Sequence, residues 1–450
     1  MENTITPFDL NLDTEIPSNA IILSEQQLAA AEALEKWLKE FQAGKALRKF
    51  FVLEGFAGTG KSFTAAEIIK RLNMRPAYMT YTGKAAMVLR NYTGVNATTI
   101  HSKIYKLVTV NDEEFKALYA KRDETEDPKV REECALQISK LMEPTFELNE
   151  EAFTESRQNI IVLDECSMVD GVILADLESY KLPIVALGDP GQLPPVKDEG
   201  ALFTGLPDAR LTEIRRQALD NPIIQWSTWA REKRTLPTTD IGKVFTDPVA
   251  KTLVAFVRNT PQMMEAMLAK HDVTICWKNA TRQWLNKFYR NKVNGCGDTD
   301  PVYPIAGDKI LFTRNDKQHG IFNGMFAEVL EVGELQDVAF EMTVKLDSDE
   351  LAAKDPKTLE FLRADFECYA DPDVLKRLQP WDFRGRQRAD FGYALTCHKA
   401  QGSQWSRVLV FEEDCFNWGS KPRARARRAQ WLYTAITRAV DKVTIIGGKM

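Results

Sequence analysis

The chain has 450 residues, of which 44% are hydrophobic and 27% are charged, values typical of a globular protein with roughly two to four domains. Residues 1–19 contain no apolar core segment, and no apolar run elsewhere is long enough to span a bilayer, so we expect no signal peptide and no membrane anchor. The net charge of −5 provides no overall attraction to nucleic acid, so any nucleic-acid site must be a local basic groove.

The usage of cysteine and histidine argues against two further classes of protein. The seven cysteines are scattered without a C-x-x-C pair, which is typical of reduced thiols in the cytoplasm rather than of a disulfide framework. The four histidines form no cluster with the spacing of metal ligands, so we do not expect a structural zinc site.

The first predicted element is a helix over residues 25–42, in which apolar residues recur at helical spacing after Ser24 as the N-cap. Gln27 lies in its first turn. An amide side chain there could donate to and accept from the edge of an adenine, although a surface glutamine is the more frequent role of such a residue.

Residues 55–62 read Gly-Phe-Ala-Gly-Thr-Gly-Lys-Ser, a full match to G-x-x-x-x-G-K-[ST] between an apolar run and a helical segment. The glycines let backbone N–H groups point at an anion, and the following helix adds the positive end of its dipole. Lys61 is expected to reach the β- and γ-phosphates, and Ser62 to ligate Mg²⁺. The pattern predicts a site for a nucleoside triphosphate.

Two short polar segments follow further predicted secondary structure. Residues 82–86, Thr-Gly-Lys-Ala-Ala, come after a predicted strand at 77–81, and residues 98–102 read Thr-Thr-Ile-His-Ser. At the carboxyl ends of strands in an open α/β sheet, such residues lie on the ligand-facing edge, where they can contact sugar and phosphate oxygens. Taken alone, each segment is equally consistent with an ordinary helix N-terminus.

The stretch from residue 111 to residue 155 differs in character, with 14 acidic and 6 basic residues and no strong strand signal. We interpret it as an inserted helical subdomain or a hinge piece, with a solvated, charged face.

The α/β pattern resumes with a buried strand predicted over 159–163, which ends in Asp164-Glu165. Asp164 is expected to hold a metal ion and Glu165 to polarise the attacking water. A further strand at 184–187 leads into Gly-Asp-Pro-Gly-Gln-Leu-Pro-Pro-Val at 188–196, in which Gln192 could sense a γ-phosphate. These strands predict one RecA-like α/β unit.

A second region begins at 211–217, Leu-Thr-Glu-Ile-Arg-Arg-Gln, and includes a strand at 273–277 and a helix at 279–291. Short strands separated by turn residues, at 309–313, 325–330 and 340–346, predict a small β-barrel-like insert. The α/β pattern then returns with strands at 391–395, 408–411 and 442–446. The sequence therefore predicts two α/β units, the second interrupted by a β insert.

The order and content of these motifs resemble those of superfamily 1 DNA helicases, in particular the RecD-like branch that includes the phage Dda type. The resemblance extends from Leu23 to Ala439. Its most specific segments are 188–196, Thr-Cys-His-Lys-Ala-Gln-Gly-Ser at 396–403 and Tyr-Thr-Ala-Ile-Thr-Arg-Ala at 433–439.

The resemblance implies roles for individual residues. It implies ATP and Mg²⁺ as cofactors, with nucleotide contacts from Gln27, Gly58, Thr59, Gly60, Lys61, Ser62 and Gly402. It implies Ser62 and Asp164 as metal ligands and a catalytic set of Lys61, Asp164, Glu165, Gln192, Arg216 and Arg438. Arg215, beside Arg216, is the alternative for that position.

The resemblance also implies a single-strand track with contacts from Thr82, Lys84, Thr99, His101 and His398. The basic run at 421–428 could bind phosphates or form a solvated helix. The acidic segment 103–158 is not obviously a hairpin, whereas the first-unit insert of relatives often carries a strand-separating hairpin, so the sequence does not place the wedge.

The expected architecture is an N-terminal tail at 1–20, a first RecA-like lobe at 21–210 with an inserted subdomain at about 103–158, and a second lobe at 211–306 and 391–450 with an SH3-like β insert at 307–390. The expected function is an ATP-dependent DNA helicase that moves along single-stranded DNA, 5′ to 3′ by resemblance. Its expected partners are single strands and duplex junctions, with a single-strand-binding or replication protein, and a monomer is sufficient. The alternative is a DNA-stimulated translocase that displaces proteins with little unwinding.

Overall fold

The fold is described from a computed structural model. The structure describes residues 23–107, 117–118, 120–122, 124–131, 133–134, 137, 146–154, 156–194, 202, 205–213, 221–233, 242–247, 251–257, 261–292, 303–316, 319–347, 355–378, 380–383, 385–418 and 422–447. The predicted tail at 1–20 lies outside them. Within this part of the chain, every helix is too short or too polar to serve as a membrane span.

The first α/β unit is built on a six-stranded parallel sheet in the order β3-β2-β6-β7-β1-β8. Its strands are β1 (Phe50–Gly55), β2 (Pro76–Thr80), β3 (Ala97–Thr99), β6 (Ile160–Asp164), β7 (Ile184–Gly188) and β8 (Ala209–Leu211). Its helices are α1 (Glu25–Gln42), α2 (Lys61–Arg71), α3 (Gly83–Thr93), α4 (Ile100–Ile104) and α5 (Gly171–Ser179).

Buried side chains cover both faces of this sheet. Along β1, Phe51 and Leu53 pack with α1 and α2 on one face, whereas Val52 packs with α5 on the other. Such alternation follows from the two-residue period of a strand, and a strand buried on both faces reads as a continuous apolar run. The apolar runs therefore predict the central strands well, while the three-residue strands β3 and β8 leave no periodic signal.

The acidic insert contains a short strand pair as well as helix, which the absence of a strong strand signal does not reveal. A two-stranded antiparallel pair, β4 (Tyr105–Leu107) with β5 (Phe146–Leu148), joins its two ends. Described residues between 117 and 137 are mostly helical. Strands this short are defined by a partner about forty residues away, which local patterning does not reveal.

The second α/β unit contains a sheet in the order β17-β11-β18-β19-β10-β9, in which only β9 is antiparallel. Its strands are β9 (Val244–Asp247), β10 (Thr252–Val257), β11 (Val273–Cys276), β17 (Ala394–Thr396), β18 (Trp405–Phe411) and β19 (Ala439–Ile446). Its helices are α6 (Pro222–Lys233), α7 (Pro261–Leu268), α8 (Asn279–Lys292), α10 (Cys397–Ala400) and α11 (Pro422–Ile436).

Between β11 and β17 the chain forms a five-stranded antiparallel sheet in the order β15-β14-β13-β12-β16. Its elements are β12 (Lys309–Phe312), β13 (Phe326–Leu335), β14 (Ala339–Leu346), β15 (Lys357–Leu362), the short helix α9 (Ala364–Glu367) and β16 (Ala389–Phe391). The two predicted α/β units and the β character of the insert are therefore confirmed, whereas its SH3-like class and the domain boundaries stay predictions.

The single strand predicted over 391–395 is wrong. Phe391 ends β16 in the antiparallel sheet, and Ala394 begins β17 in the parallel one. The chain passes between the sheets at Gly392, where a Cβ would lie 2.9 Å from Phe326 Cδ1. The run is apolar on both sides of this crossover, so its composition gives no sign of the change of sheet.

Candidate nucleotide and nucleic-acid sites

The phosphate-loop motif lies where the sequence predicts it, between the end of β1 and the start of α2. Gly58 and Gly60 have φ values of 82° and 80°, the left-handed conformation that glycine adopts without steric cost. Lys61 Nζ donates to the Phe56 carbonyl at 3.2 Å, and Thr59 Oγ1 donates to the same oxygen at 2.9 Å. Those contacts hold the lysine against its own loop.

Ser62 meets the acidic pair at the tip of β6. Its hydroxyl donates to Asp164 Oδ2 at 2.7 Å, although the two residues are 102 positions apart in the chain. Burial, and then the Glu165 carboxylate, raise the pKa of Asp164, while Ser62 and Lys61 oppose that rise. A buried carboxylate beside a second one is a favourable place for a cation.

Glu165 has a left-handed backbone, with φ of 52° and ψ of 43°. Its N–H donates to Asp164 Oδ1 at 2.8 Å. A non-glycine residue in this conformation is uncommon and costs of order 1 kcal/mol, and such residues cluster at functional sites. Asp164 contacts Ser62, whereas the next residue, Glu165, lines a crevice together with Gly402.

Gln192 is buried, and its backbone N–H donates to the Asp189 carbonyl at 3.1 Å. Its side-chain Oε1 is buried without a hydrogen-bond partner among the described residues. Because an unpaired buried acceptor costs about 1–3 kcal/mol, such an atom is expected where a further group binds.

The expectation that Gln27 is a surface residue is wrong, because it is 7% exposed. Its Oε1 accepts from Ser24 N at 3.0 Å, and its Nε2 donates to Thr64 Oγ1 at 2.8 Å. The first contact belongs to a capping box at the start of α1, and the second ties α1 to α2. Both ends of the amide are therefore engaged within the protein.

The second unit contacts the phosphate loop through Tyr433, the first residue of the motif at 433–439, for which the sequence predicts no role of its own. Its buried hydroxyl donates to Asp189 Oδ2 at 2.5 Å and accepts the N–H of Ala57 at 2.8 Å. Gly191 lies beside its ring, and a Cβ there would be 2.9 Å from Tyr433 Cε1. The residue joins three segments that are far apart in the chain.

Two further contacts surround this junction. The guanidinium of Arg231, on α6, stacks 3.5 Å from the centroid of the Phe56 ring. Thr434 Oγ1 accepts from Leu193 N at 3.0 Å, and Gln401 Nε2 donates to the Leu193 carbonyl at 2.9 Å. The loop at 188–194 is therefore held by two segments of the second unit.

Replacing Tyr433 with phenylalanine is expected to speed amide hydrogen exchange at Ala57 by about tenfold, because a hydrogen bond worth about 1.4 kcal/mol is lost while the ring remains. Peptide-level exchange measured by mass spectrometry checks this. Peptides from α1 provide the internal control and should exchange at the wild-type rate. Unchanged exchange at Ala57 would show that the hydroxyl does not hold the loop.

Arg438 is 3% exposed and bonded within its own unit. Its Nε donates to the Thr434 carbonyl at 3.1 Å, and its other donors contact Ser403 and Thr437. The structure does not bring it to the phosphate loop. Arg216, with its neighbour Arg215, lies outside the described residues.

Gly402 adjoins the first unit. It has a φ of 73°, and a Cβ there would lie 2.7 Å from Thr82 Oγ1. Both residues line a crevice with Glu165 and Gln401. The motif at 396–403 thus meets the first unit beside the acidic pair, where any larger residue would clash.

The predicted single-strand contacts on the first unit lie at one sheet edge. Thr82 follows β2 and caps α3 by accepting from Ala85 N, while Thr99 ends β3 and caps α4 by accepting from Ser102 N. The ring of His101 lies between those of Tyr81 and Tyr105, at 5.8 and 5.5 Å, and burial lowers its pKa.

His398, on α10, lies at the corresponding edge of the second sheet. Its ring centroid is 5.5 Å from that of Trp277, and burial, followed by the charge of Arg427, lowers its pKa. Lys84 instead lies between the units, with Nζ 4.8 Å from the Phe326 ring and 5.0 Å from the Trp405 ring. The structure thus places Lys84 against aromatic groups.

Burial lowers the pKa of Lys84 to about 8 from its ordinary value of 10.5, with Asp347 opposing and Lys309 adding to the change. The folded protein therefore loses this proton before the unfolded chain does, so the penalty for burying the charge is full below pH 8 and fades as the pH rises toward 10.5.

We expect the melting temperature of the wild type to rise relative to that of Lys84→Met between about pH 7.5 and about pH 9.5. Calorimetric or fluorescence-detected melting checks this. Lys345→Met, at an exposed position of β14, serves as the control and should show no such pH dependence. A Lys84→Met difference that is constant across this range would contradict the expectation.

Two family models match the chain. The model for an AAA domain matches residues 23–240, and the model for a UvrD-like helicase C-terminal domain matches residues 391–446. The chain is 27% identical to the ATP-dependent RecD2 DNA helicase of Deinococcus radiodurans, over 96% of this chain and 50% of that protein. It is 31% identical to an uncharacterised protein of Acanthamoeba polyphaga mimivirus, over 64% of this chain and 60% of that protein.

The chain spans about half to three fifths of the length of these curated relatives. Among solved structures, it is similar to the Pif1 helicase of Candida albicans, with 17% identity, a TM-score of 0.48, and coverage of 96% of this chain and 95% of that one. It is also similar to Bacteroides Pif1 bound to ssDNA, with 15% identity, a TM-score of 0.48, and coverage of 95% and 93%. The two domain models and the RecD2 relative support the resemblance of the motifs to superfamily 1 helicases of the RecD-like type.

Proposed function

We propose that the chain is an ATP-dependent DNA helicase that moves along single-stranded DNA. The observation that carries this proposal is the meeting of the phosphate loop, the Asp164–Glu165 pair and Tyr433 of the second unit at one junction. A nucleotide bound there would touch both units, so its hydrolysis can alter how they meet. The RecD2 relative, an ATP-dependent DNA helicase by name, supports the same assignment.

In the proposed mechanism, the N–H groups around Gly58, Thr59 and Gly60 cradle the phosphates, and Lys61 leaves the Phe56 carbonyl to meet them. Mg²⁺ fits Ser62 and Asp164, since a hydroxyl and a carboxylate only 2.7 Å apart are hard oxygen donors. When bound, the ion would neutralise charge on the transferring phosphoryl group.

Glu165 is proposed to orient and deprotonate the attacking water. Gln192 is proposed to sense the γ-phosphate, with its unpaired Oε1 able to accept a hydrogen bond from that water. Gln27 would contact the adenine of ATP only by giving up its hydrogen bonds with Ser24 or Thr64. Arg216 and Arg438 are proposed to supply positive charge from the second unit on closure, and Gly402 to keep that unit close to the first.

The proposed DNA track runs past Thr82, Thr99 and His101 on the first unit and His398 on the second, with Lys84 beside it. Movement is proposed to run 5′ to 3′, and junctions of single-stranded with duplex DNA are the proposed substrates. A monomer provides both units, a single-strand-binding or replication protein is a proposed partner, and the cytoplasm is the proposed location.

Steady-state ATP hydrolysis with and without single-stranded DNA tests this function. We expect DNA to stimulate the rate at least about tenfold, and Lys61→Ala to lose the activity. Lys70→Ala, which removes an exposed lysine near the end of the same helix, is the matched control and should behave as the wild type. Hydrolysis that is indifferent to DNA would overturn the proposal.

A further inference from the structure

The first half of α11 carries four arginines, and the helix places their side chains on different sides. They are Arg423, Arg425, Arg427 and Arg428. Arg428 Nη2 donates to Glu412 Oε1 at 2.6 Å, and this carboxylate is only 5% exposed. Arg428 therefore neutralises a buried acid and has a structural role.

Arg423 and Arg427 lie on a different side from Arg425. At about 100° per residue, positions four apart differ by about 40° around the axis, whereas Arg425 lies about 200° from Arg423 and from Arg427. Arg423 and Arg425 are exposed, and Arg427 is half-buried. One helix thus presents a pair of arginines on one side and a matched single arginine on the other.

The side that carries Arg427 leads to α10. Trp431, one turn beyond Arg427, is fully buried, and its carbonyl accepts from Cys397 Sγ at 3.7 Å. Cys397 precedes His398, whose pKa is lowered first by burial and second by the charge of Arg427. The ring of Trp277 lies 5.5 Å from that of His398, centroid to centroid.

The electrostatics of this corner favour an anion. Arg428 takes the carboxylate of Glu412, whereas Arg427, a half-buried residue, has no carboxylate partner among the described residues and lies within electrostatic reach of His398, whose charged form burial disfavours. A guanidinium binds phosphate through two parallel hydrogen bonds. Arg423 lies about 6 Å from Arg427 along the helix axis, toward the N-terminus of α11. Two successive phosphates of a nucleic-acid strand can reach both arginines, whereas a single phosphate cannot.

We propose that Arg427 and Arg423 bind phosphates of the single-stranded DNA where it passes His398, and so extend the track along α11. This inference rests on the proposed function and adds to it a second-unit contact surface that lies outside the helicase motifs. It also divides the basic run at 421–428 into a DNA-facing pair, a solvated arginine and a structural arginine.

The salt dependence of DNA binding tests the proposal. Fluorescence anisotropy of a labelled oligothymidylate is measured from about 50 to about 200 mM salt for the wild type, Arg427→Ala, Arg423→Ala and Arg425→Ala. Loss of one phosphate contact should reduce the slope of log K against log salt by about 0.7 for a single strand. We expect that loss in Arg427→Ala and Arg423→Ala, and the wild-type slope in Arg425→Ala.

Two further readouts separate contact from structure. The melting temperature and the hydrolysis rate without DNA should stay at wild-type values in Arg427→Ala, and Arg427→Lys should recover part of the slope. Equal slopes in all four proteins, or equal losses of slope in Arg425→Ala and Arg427→Ala, would overturn the inference. The proposed function would still stand if DNA stimulated ATP hydrolysis by the wild type. A wild type that neither binds DNA nor is stimulated by it overturns both.

Discussion

Replacing Glu165 with glutamine is expected to lower kcat for ATP hydrolysis by about 10²–10⁴-fold while ATP binding persists. Glutamine keeps the volume and polarity of the side chain at the left-handed turn after β6, but it cannot accept a proton from water. Lys61, Ser62 and Asp164 are untouched by the change, so the phosphates and Mg²⁺ keep their proposed ligands.

Steady-state hydrolysis and titration with a fluorescent ATP analogue measure the two effects separately. Glu328→Gln makes the same chemical change at an exposed position of β13 and should leave both quantities at wild-type values. Retained hydrolysis in Glu165→Gln would remove the residue from its role as base. Loss of nucleotide binding would instead assign it to holding the substrate.

Replacing Arg290 with methionine is expected to lower the free energy of unfolding by about 3–5 kcal/mol, because it leaves a buried carboxylate without its counter-charge. Arg290 Nη2 lies 2.9 Å from Asp308 Oδ2, with side-chain exposures of 3% and 0%. Asp308 also accepts from Tyr393 Oη at 2.7 Å and from Ile305 N at 2.9 Å. The pair therefore fixes α8 of the second unit against the start of the β insert.

Urea unfolding followed by fluorescence and by circular dichroism measures this loss and shows whether the β insert unfolds separately. Arg71→Met is the control, since its pair with Glu67 is an i,i+4 pair on a helix surface, with side-chain exposures of 46% and 18%, and such pairs are worth less than about 1 kcal/mol. Equal losses in the two variants would show that the buried pair contributes no more than a surface one.

The sequence predicts those parts of the molecule that are encoded locally. The phosphate loop, the strand before Asp164 and the helix at 25–42 each depend on a short pattern, and the structure has all three. The capping box at the start of that helix is local too, because Ser24 and Gln27 are three residues apart. It was the available signal that Gln27 is engaged at the start of a helix rather than free on the surface.

The contacts that join the two units could not be predicted in this way. Tyr433 lies 376 positions from Ala57 and 244 from Asp189, so no window of sequence contains the junction. A signal existed in Gly191, whose missing side chain leaves space for the Tyr433 ring, but only the fold shows which ring fills it. The division of arginines in α11 likewise needs the helix and its neighbour, because composition alone cannot distinguish Arg427 from Arg425.

The central claim is tested most directly by ATP-driven strand displacement on three otherwise identical duplexes, with a 5′ single-stranded tail, a 3′ tail or blunt ends, and with Lys61→Ala as the inactive control. We predict unwinding of the 5′-tailed duplex alone, lost in Lys61→Ala. Absence of unwinding on all three duplexes, with hydrolysis still stimulated by DNA, would contradict the helicase assignment and leave a translocase that displaces proteins from single strands.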